Sequence, residues 1–440
     1  VRPATRLKVV YERIEDLVEH PQNARTHSKR QIAQIAASVE AYGWTNPVIV
    51  DKRKRIIAGH GRVAAAKLRG IREIPTICIE HLTEDEIRAY VIADNALALK
   101  AGWAPEILAI ELQYLLKLDD FDITLTGFEV PEIDAILEQA TGRQDKDDVF
   151  EQDPSLPAVT RPGDVWGMAG HRVLCGNSLQ DSSFDALMAG LKANLVFTDP
   201  PYGVKVNGHV SGRGAIKHRE FLMGSGEMSP AERLAFLRTA TQLLSKHSSP
   251  SAIQFICIDH RHIGELLVAA ESAYGAPLNL CVWVKDNGGL GSLYRSRHEL
   301  IFVFRNGRKP HRNNVLLGKY GRNRTNVWEY PGISTMSKRS EEGNLLALHP
   351  TVKPVALVAD AILDCSARKD VVVDSFLGSG TTLIACERTG RVCYGIELDP
   401  LYVDTAVRRW ERYTGEKAVN AASGKRFDDL AAKPKGGRRG

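Results

Sequence analysis

"VVVDSFLGSGTTLIACERTGRVCYGIELDP", residues 371–400, decides the fold of the larger part of this chain. Three valines, Val371 to Val373, run into an acid, Asp374. Gly378 and Gly380 follow, where a tight turn needs positive φ or close backbone approach. A helix is expected from Thr381. A second apolar run, Val392 to Ile396, ends at Glu397. Strand, Gly-rich turn, helix, strand and acid form the series of a nucleoside site, in which the second acid accepts hydrogen bonds from ribose hydroxyls. The turn reads Phe376-x-Gly378-x-Gly380, and no Lys follows it, which argues against a P-loop.

The alternation continues upstream. Strands are expected near 172–175, 194–198, 252–258, 280–284 and 299–304, which with 371–374 and 392–396 make seven. Helices lie between several of them, notably at 230–245 and 354–365. This pattern implies an α/β fold with a mostly parallel sheet covered on both faces. Residues 7–80 read as a second, small α/β unit. There Ile32, Ile35, Ala36 and Val39 share a helical face between an N-cap at Ser28 and a stop at Gly43. Residues 83–140 are helical in pattern, opening on Thr83 and Glu86 at capping-box spacing. The polar stretch 141–162 reads as a linker, and the basic, Gly-rich tail 421–440 as disordered.

With 440 residues, 43% hydrophobic and 25% charged, the chain has the make-up of two or three ordinary globular domains. No apolar run approaches the ~18 residues of a membrane span, and no leader pattern opens the sequence. A cytoplasmic protein with no membrane partner is expected. The seven cysteines form no CxxC pair, so reduced core thiols are expected and no metal site. Net charge is only +5, but residues 305–325 hold seven Arg or Lys and no acid. Such a patch neutralises phosphates, unless it is merely a solvated loop.

A second stretch, "NLVFTDPPYGV" (194–204), ends a strand in an acid, two prolines and a tyrosine. "DSFLGSGTT" with "GIELDP" resembles the S-adenosylmethionine (AdoMet) site of DNA amino-methyltransferases, and "TDPPYG" resembles their catalytic motif. "LHPTVKP" (348–354) resembles the segment preceding the AdoMet strand in one subclass. The order of motifs is that of the β-group, with the AdoMet half C-terminal, and the resemblance spans about 163–412. It implies a Rossmann-like AdoMet-dependent methyltransferase domain, 163–420, acting on double-stranded DNA. By resemblance the cofactor is held by Asn177, Asp374, Phe376, Gly378, Gly380, Thr381, Thr382, Glu397, Asp399 and Lys353, the last on the methionine carboxylate. Asn177 stands where many relatives have Asp, and Ser375 where many have Pro.

The chemistry suits these residues. An exocyclic base amine is a poor nucleophile because its lone pair is delocalised into the ring. The Asp199 carboxylate and the Pro200 carbonyl would accept its two hydrogens and favour a tetrahedral nitrogen. Pro200 and Pro201 stiffen that geometry, and Tyr202 would stack on a base that has left the duplex. Asp-Pro-Pro-Tyr is commoner in adenine-N6 enzymes and Ser-Pro-Pro-Tyr in cytosine-N4 enzymes, so adenine is expected, with cytosine as the alternative. His298 and Glu299 read as structural. Residues 203–220 are Gly-rich and basic and read as a lid. Target recognition is expected in 305–347, with DNA contacts from Arg308, Lys309, Arg312, Lys319, Arg322 and Arg324; Trp328 reads as core, and Tyr330 as a stacking candidate.

The first region, about 7–96, resembles ParB/sulfiredoxin-like N-terminal domains, in "NARTHSKRQIAQIAASVEAYGWTNPVIV", "RIIAGHGRVAAAKLRG" and "IPTICIEHLTEDEIRAYVIADN". "GHGR" (59–62) sits where that family contacts phosphate at a helix start. The resemblance implies a phosphate site of Gly59, His60, Gly61, Arg62 and Arg25. It leaves open DNA or partner binding, a bound nucleotide, nuclease activity, or a structural role. The domains expected are 1–96, a helical extension 97–140, the linker 141–162 and the methyltransferase. A homodimer is expected from the family. A DNA-binding or nuclease protein with an accessory methylase half is the other reading.

Overall fold

The computed structural model describes residues 7–21, 23–118, 120–141, 157–201, 228–286, 288, 293–332 and 353–431. They divide into two compact units, Val1–Ala140 and Thr141–Gly440.

In the first unit, β1 (Val9–Arg13), β2 (Val48–Val50), β3 (Ile56–Ala58) and β4 (Glu73–Cys78) form a sheet in the order β1-β4-β2-β3. α1 (Lys29–Tyr42) starts where the Ser28 hydroxyl accepts the Gln31 N–H, and stops at Gly43 with φ 74°. α2 (His60–Leu68) follows β3. Ile14, Val48, Val50, Ile56, Val63 and Ile74 close the core between them. α3 (Glu84–Lys100) opens on the complete Thr83–Glu86 capping box. α4 (Pro105–Leu116) and α5 (Val130–Thr141) enclose a small core of Ala109, Leu112, Ile123, Ile133 and Leu137. The boundary expected after residue 96 falls inside α3, because no helix breaker occurs in that helix before Gly102.

The second unit contains the seven expected strands and three short ones. They are β5 (Val165–Met168), β6 (His171–Cys175), β7 (Ala193–Thr198), β8 (Ser248–Ile258), β9 (Asn279–Val284), β10 (His298–Arg305), β11 (Val327–Glu329), β12 (Val371–Asp374), β13 (Val392–Glu397) and β14 (Val419–Asn420). Their order is β11-β9-β10-β8-β7-β12-β13-β6-β5-β14. The central run β8-β7-β12-β13-β6 is parallel throughout. The helices are α6 (Asp181–Met188), α7 (Pro230–Lys246), α8 (Ile263–Tyr274), α9 (Val355–Cys365), α10 (Thr381–Thr389), α11 (Pro400–Thr414) and α12 (Phe427–Ala431). Parallel strands end together, so Cys175, Thr198, Ile258, Asp374 and Glu397 share one edge of the sheet. β10 runs antiparallel to β8, so it begins on that edge at His298 and leaves from the opposite edge at Arg305.

Two expected boundaries are corrected. The tail is ordered as far as Ala431: β14 pairs with β5, and the fully buried Phe427 meets Trp166 at 5.0 Å between ring centroids. Its apolar content outweighs the basic, Gly-rich pattern around it, and 432–440 lie outside the described residues. The end of the expected linker belongs to the second unit. The Val159 and Thr160 N–H groups donate to the Asp404 carboxylate at 2.7 and 3.0 Å, and the Trp166 indole donates to the Thr160 hydroxyl. The seven cysteines are free, and Cys78 is the exposed one. Among the described residues, no helix is long and apolar enough to cross a membrane.

Candidate active site

The Gly-rich turn hangs between the ends of β12 and β13. Gly378 and Gly380 have φ of 54° and 87°. A Cβ on Gly380 would stand 2.9 Å from that of Ala406, and one on Gly395 would stand 2.6 Å from Leu377. Asp374 is buried and fully engaged: Oδ1 accepts from the Thr198 hydroxyl (3.0 Å) and the Phe376 N–H (3.1 Å), and Oδ2 from the Thr382 hydroxyl (2.6 Å). It therefore ties the turn to β7, although burial lifts its carboxyl to about 6. Glu397 is half-buried at the tip of β13. It accepts the Gly378 N–H at 2.8 Å and the Asp399 N–H at 2.9 Å, one on each oxygen. Burial pushes its carboxyl up to about 7. Each oxygen keeps a lone pair, which suits a diol donor. Phe376 lies half-buried against Phe236. Asn177 accepts the Leu179 N–H, Asp399 caps α11 through the Leu401 N–H, and the Thr381 hydroxyl accepts from Arg409.

At the tip of β7, one strand away, stands Asp199. Its Oδ2 is 2.5 Å from Lys353 Nζ, which also lies 2.9 Å from Glu299 Oε2. Glu299 in turn ion-pairs with Lys285 at the end of β9. The Lys353 side chain is 5% exposed. Asp199 Oδ1 is buried and has no hydrogen-bond partner among the described residues. Burial raises the Asp199 carboxyl, against the pull of Lys353 and with a push from Glu299. Glu299, flanked by two lysines, is held at about 2 in spite of its burial. Lys353 was expected on a cofactor carboxylate; in the structure it pairs with the candidate catalytic acid, and Glu299 reaches that acid only through Lys353. The antiparallel entry of β10 brings Glu299 there, which strand periodicity alone does not reveal. Tyr202 and the expected lid lie outside the described residues.

Residues 193–408 match the family model described as DNA methylase, residues 4–95 that of the ParB N-terminal domain, and residues 106–162 that of the ParB-methyltransferase HTH domain. The chain is 44% identical over 81 residues to the ParB-like nuclease domain-containing protein YnaK of Escherichia coli, covering 18% of this chain and 93% of YnaK. This chain carries an N6/N4 DNA methylase domain joined to ParB-like domains. The Type II methyltransferase M.HpaI of Haemophilus parainfluenzae is 26% identical over 258 residues, covering 54% of the methylase chain and 73% of M.HpaI. The solved M1.HpyAVI–SAM complex is 19% identical and aligns over 54% of the methylase and 98% of that chain, with a TM-score of 0.38.

The basic residues expected to contact DNA fall into an exposed set and a buried or half-buried pair. Arg308 and Lys309 follow β10 on the edge opposite Asp199, where Asn306 is bound to Ser245, Ser248 and Ser249 and Gly307 abuts Pro250. Asn314 is anchored to the C-terminal end of α9 through Leu363 O and Ser366 O. Arg308, Lys309, Arg312 and Lys319 are exposed. Arg322 and Arg324, expected as DNA contacts, are instead bound to Asp360 and Asp364 of α9. Tyr330 donates its hydroxyl to Asp360, and Trp328 is core. An aspartate pair at i, i+4 on a helix whose residues 355–364 are all buried needs such counter-ions.

In the ParB-like domain, Gly59 sits at the N-cap of α2 with φ 100°. Gly61 has no room for a side chain, since a Cβ would stand 2.9 Å from Ile35. Arg62 donates to the Asn46 and Pro47 carbonyls at 2.5 and 2.8 Å, and burial lowers its pKa. Arg25 donates to Asn95. His60 Nε2 is buried without a partner among the described residues, and burial lowers its pKa. The helix-turn-helix match covers what sequence reading takes as a helical extension and a linker; the α4–turn–α5 succession is the signal that would have shown it.

Proposed function

We propose that this methylase transfers the methyl group of S-adenosyl-L-methionine to the exocyclic amine of a base flipped out of double-stranded DNA, with adenine N6 as the acceptor. The observation that carries the reading is Asp199 Oδ1, a buried lone-pair acceptor left open at the tip of β7, beside the glycine turn and Glu397. The residues present fit the cofactor. Glu397 has the carboxylate for a ribose diol, Gly378 and Gly380 let the backbone approach, and Phe376 offers an aromatic face. Asp374 and Thr382 hold the same turn, Thr381 opens the helix after it, and Asn177 and Asp399 follow β6 and β13 on the same edge. S-adenosyl-L-methionine, when bound, supplies an electrophilic methyl on a sulfonium.

The chain's own residues do the rest. Asp199 Oδ1 and the Pro200 carbonyl accept the two amine hydrogens, which draws the nitrogen lone pair out of conjugation. As the new N–C bond forms, the amine becomes cationic and gives up one proton to Asp199. Lys353 keeps that carboxylate charged and oriented beforehand, and Glu299 with Lys285 holds Lys353. Tyr202 stacks on the base. Orientation of this kind supplies a large part of the acceleration.

The choice of adenine rests on the Asp199-Pro200-Pro201-Tyr202 pattern. The test is digestion of DNA methylated with labelled cofactor and separation of its nucleosides. Label in N6-methyladenine is expected; label in N4-methylcytosine would keep the mechanism and overturn the base. The ParB-like domain is proposed to bind DNA or a partner, with a nucleotide or other phosphate at the start of α2. A homodimer and a cytoplasmic location belong to the same proposal. Nicking of DNA in Mg²⁺ that disappears in Arg62→Ala would instead make that domain a nuclease.

A further inference from the structure

We propose that residues 293–297, which lead into β10, form a DNA wedge. Leu293 and Tyr294 enter the duplex in the space left by the extruded base, while Arg295 and Arg297 hold the flanking phosphates. The inference rests on the reading of the chain as a base-extruding methylase.

Place is the first argument. β9 and β10 are antiparallel neighbours, with His298 opposite Val284, so residues 293–297 enter β10 from the edge that carries Asp199. A continuous line of side chains joins the two: Lys285 at the foot of this segment pairs with Glu299, Glu299 with Lys353, and Lys353 with Asp199. The basic residues 308 and 309 stand on the opposite edge and cannot serve a base held at Asp199.

Exposure and rigidity come next. Leu293 and Tyr294 are 83% and 84% exposed. A single exposed apolar residue means little. Here an aliphatic and an aromatic side chain stand side by side, next to two arginines. The foot beneath them is fastened: the Lys285 N–H donates to Arg297 O (2.7 Å), Arg297 Nε to Lys285 O (2.9 Å) and Arg295 to Gly288 O (2.7 Å). Asp286 accepts the Gly332 N–H, which ties the foot to the segment that follows β11. The apolar pair is thus held away from the core on a braced support.

Charge agrees. Lys285 lies at the foot of the segment and Arg295 and Arg297 on it, and the His298 ring is 6.3 Å from that of His260 at the end of β8. The nearby acids, Glu299 and Asp286, are engaged as described. A cationic rim around an apolar tip matches the phosphates and stacked bases of a duplex. Proteins that unstack DNA commonly insert such apolar side chains into the gap. A base pair opened for chemistry leaves such a gap, and filling it offsets part of the cost of extrusion.

The test compares Leu293→Ala/Tyr294→Ala with the wild-type protein on two duplexes carrying the methylated sequence. One is fully paired, and the other has a mismatch opposite the target base, which makes extrusion easier. On the paired duplex the variant should lose ~10- to 100-fold in kcat/KM. On the mismatched duplex its deficit should shrink to about 3-fold or less, since the mismatch supplies what the wedge did. Thermal unfolding and cofactor affinity should not change. An equal loss on both duplexes, or no loss on either, overturns the wedge while leaving the methylase reading intact. Failure of the wild-type protein to methylate either duplex overturns that reading and the wedge with it.

Discussion

Lys353→Met is the substitution that most sharply separates the geometry found here from the role expected of "HPTVKP". In the structure the Lys353 ammonium is 2.5 Å from Asp199 Oδ2 and 2.9 Å from Glu299 Oε2. Methionine keeps the apolar stem and deletes the charge. Asp199 is then left facing Glu299 in a buried setting, and both influences push its carboxyl upward. Two unit charges about 4 Å apart at an effective dielectric of ~20 interact by about 4 kcal/mol. If all of that fell on the catalytic carboxylate, the rate would drop on the order of 10³-fold. Lys285 remains nearby, so ~10²- to 10³-fold is expected near neutral pH. The sign fixes the pH profile. A carboxyl pushed further upward is protonated over more of the pH range and then cannot accept the amine hydrogen, so activity should recover as pH rises, by up to about tenfold per unit. Single-turnover methyl transfer across the pH range measures this directly. Cofactor affinity should stay within about 3-fold, a factor too small for a lost buried ion pair. Severe loss of cofactor binding with unchanged chemistry would refute the reasoning and return Lys353 to the cofactor carboxylate. A loss of rate independent of pH would refute it as well.

Other outcomes follow from other parts of the molecule. Glu397 holds its proton up to about 7, so cofactor that needs its carboxylate should bind more tightly as pH rises to that value and level off above it; Glu397→Gln should flatten the profile in a binding titration. The same raised value means Glu397 contributes stability at low pH that is lost as pH rises through about 7, so the cofactor-free protein should gain stability on the alkaline side in Glu397→Gln. Asp360→Ala removes one of the two carboxylates that pair with Arg322 and Arg324, leaving Asp364 to face both, and should cost about 3 kcal/mol in denaturant unfolding; a change under about 1 kcal/mol would show that Asp360 is not needed. Phe427→Ala should cost about 3–5 kcal/mol by the same measurement if the segment closes the sheet edge as observed. Charge reversal at Arg308 and Lys309 should leave the salt dependence of methylation unchanged, because that edge faces away from Asp199; a slope smaller by about two would place DNA there.

Sequence made the central sheet legible because each parallel strand is a short apolar run bounded by turn residues, and two of them end in the acids that mark the site. Thr83 and Glu86, Ser28 and Gly43 also behave as their residue types dictate. What stayed hidden depends on which way strands run and which edge they end on. Arg308 and Arg322 look alike in sequence, yet the direction of β10 sends the first to the far edge, and the aspartates of α9 draw the second inside. Glu299 sits in a strand like any other, and only the antiparallel return of β10 delivers it to Lys353. Phe427 was masked by its basic, glycine-rich surroundings, which say nothing of the apolar surface it covers on Trp166.

The central claim is that Asp199 is the acceptor of the amine proton in a methyl transfer to DNA. The direct measurement is transfer of labelled methyl from S-adenosyl-L-methionine to double-stranded DNA by the wild-type protein and by Asp199→Asn, with cofactor binding measured on both. Label in the DNA with wild type, its loss in Asp199→Asn and equal cofactor binding is the predicted result. Full activity in Asp199→Asn, or cofactor binding with no label in DNA even for the wild-type protein, would contradict the account.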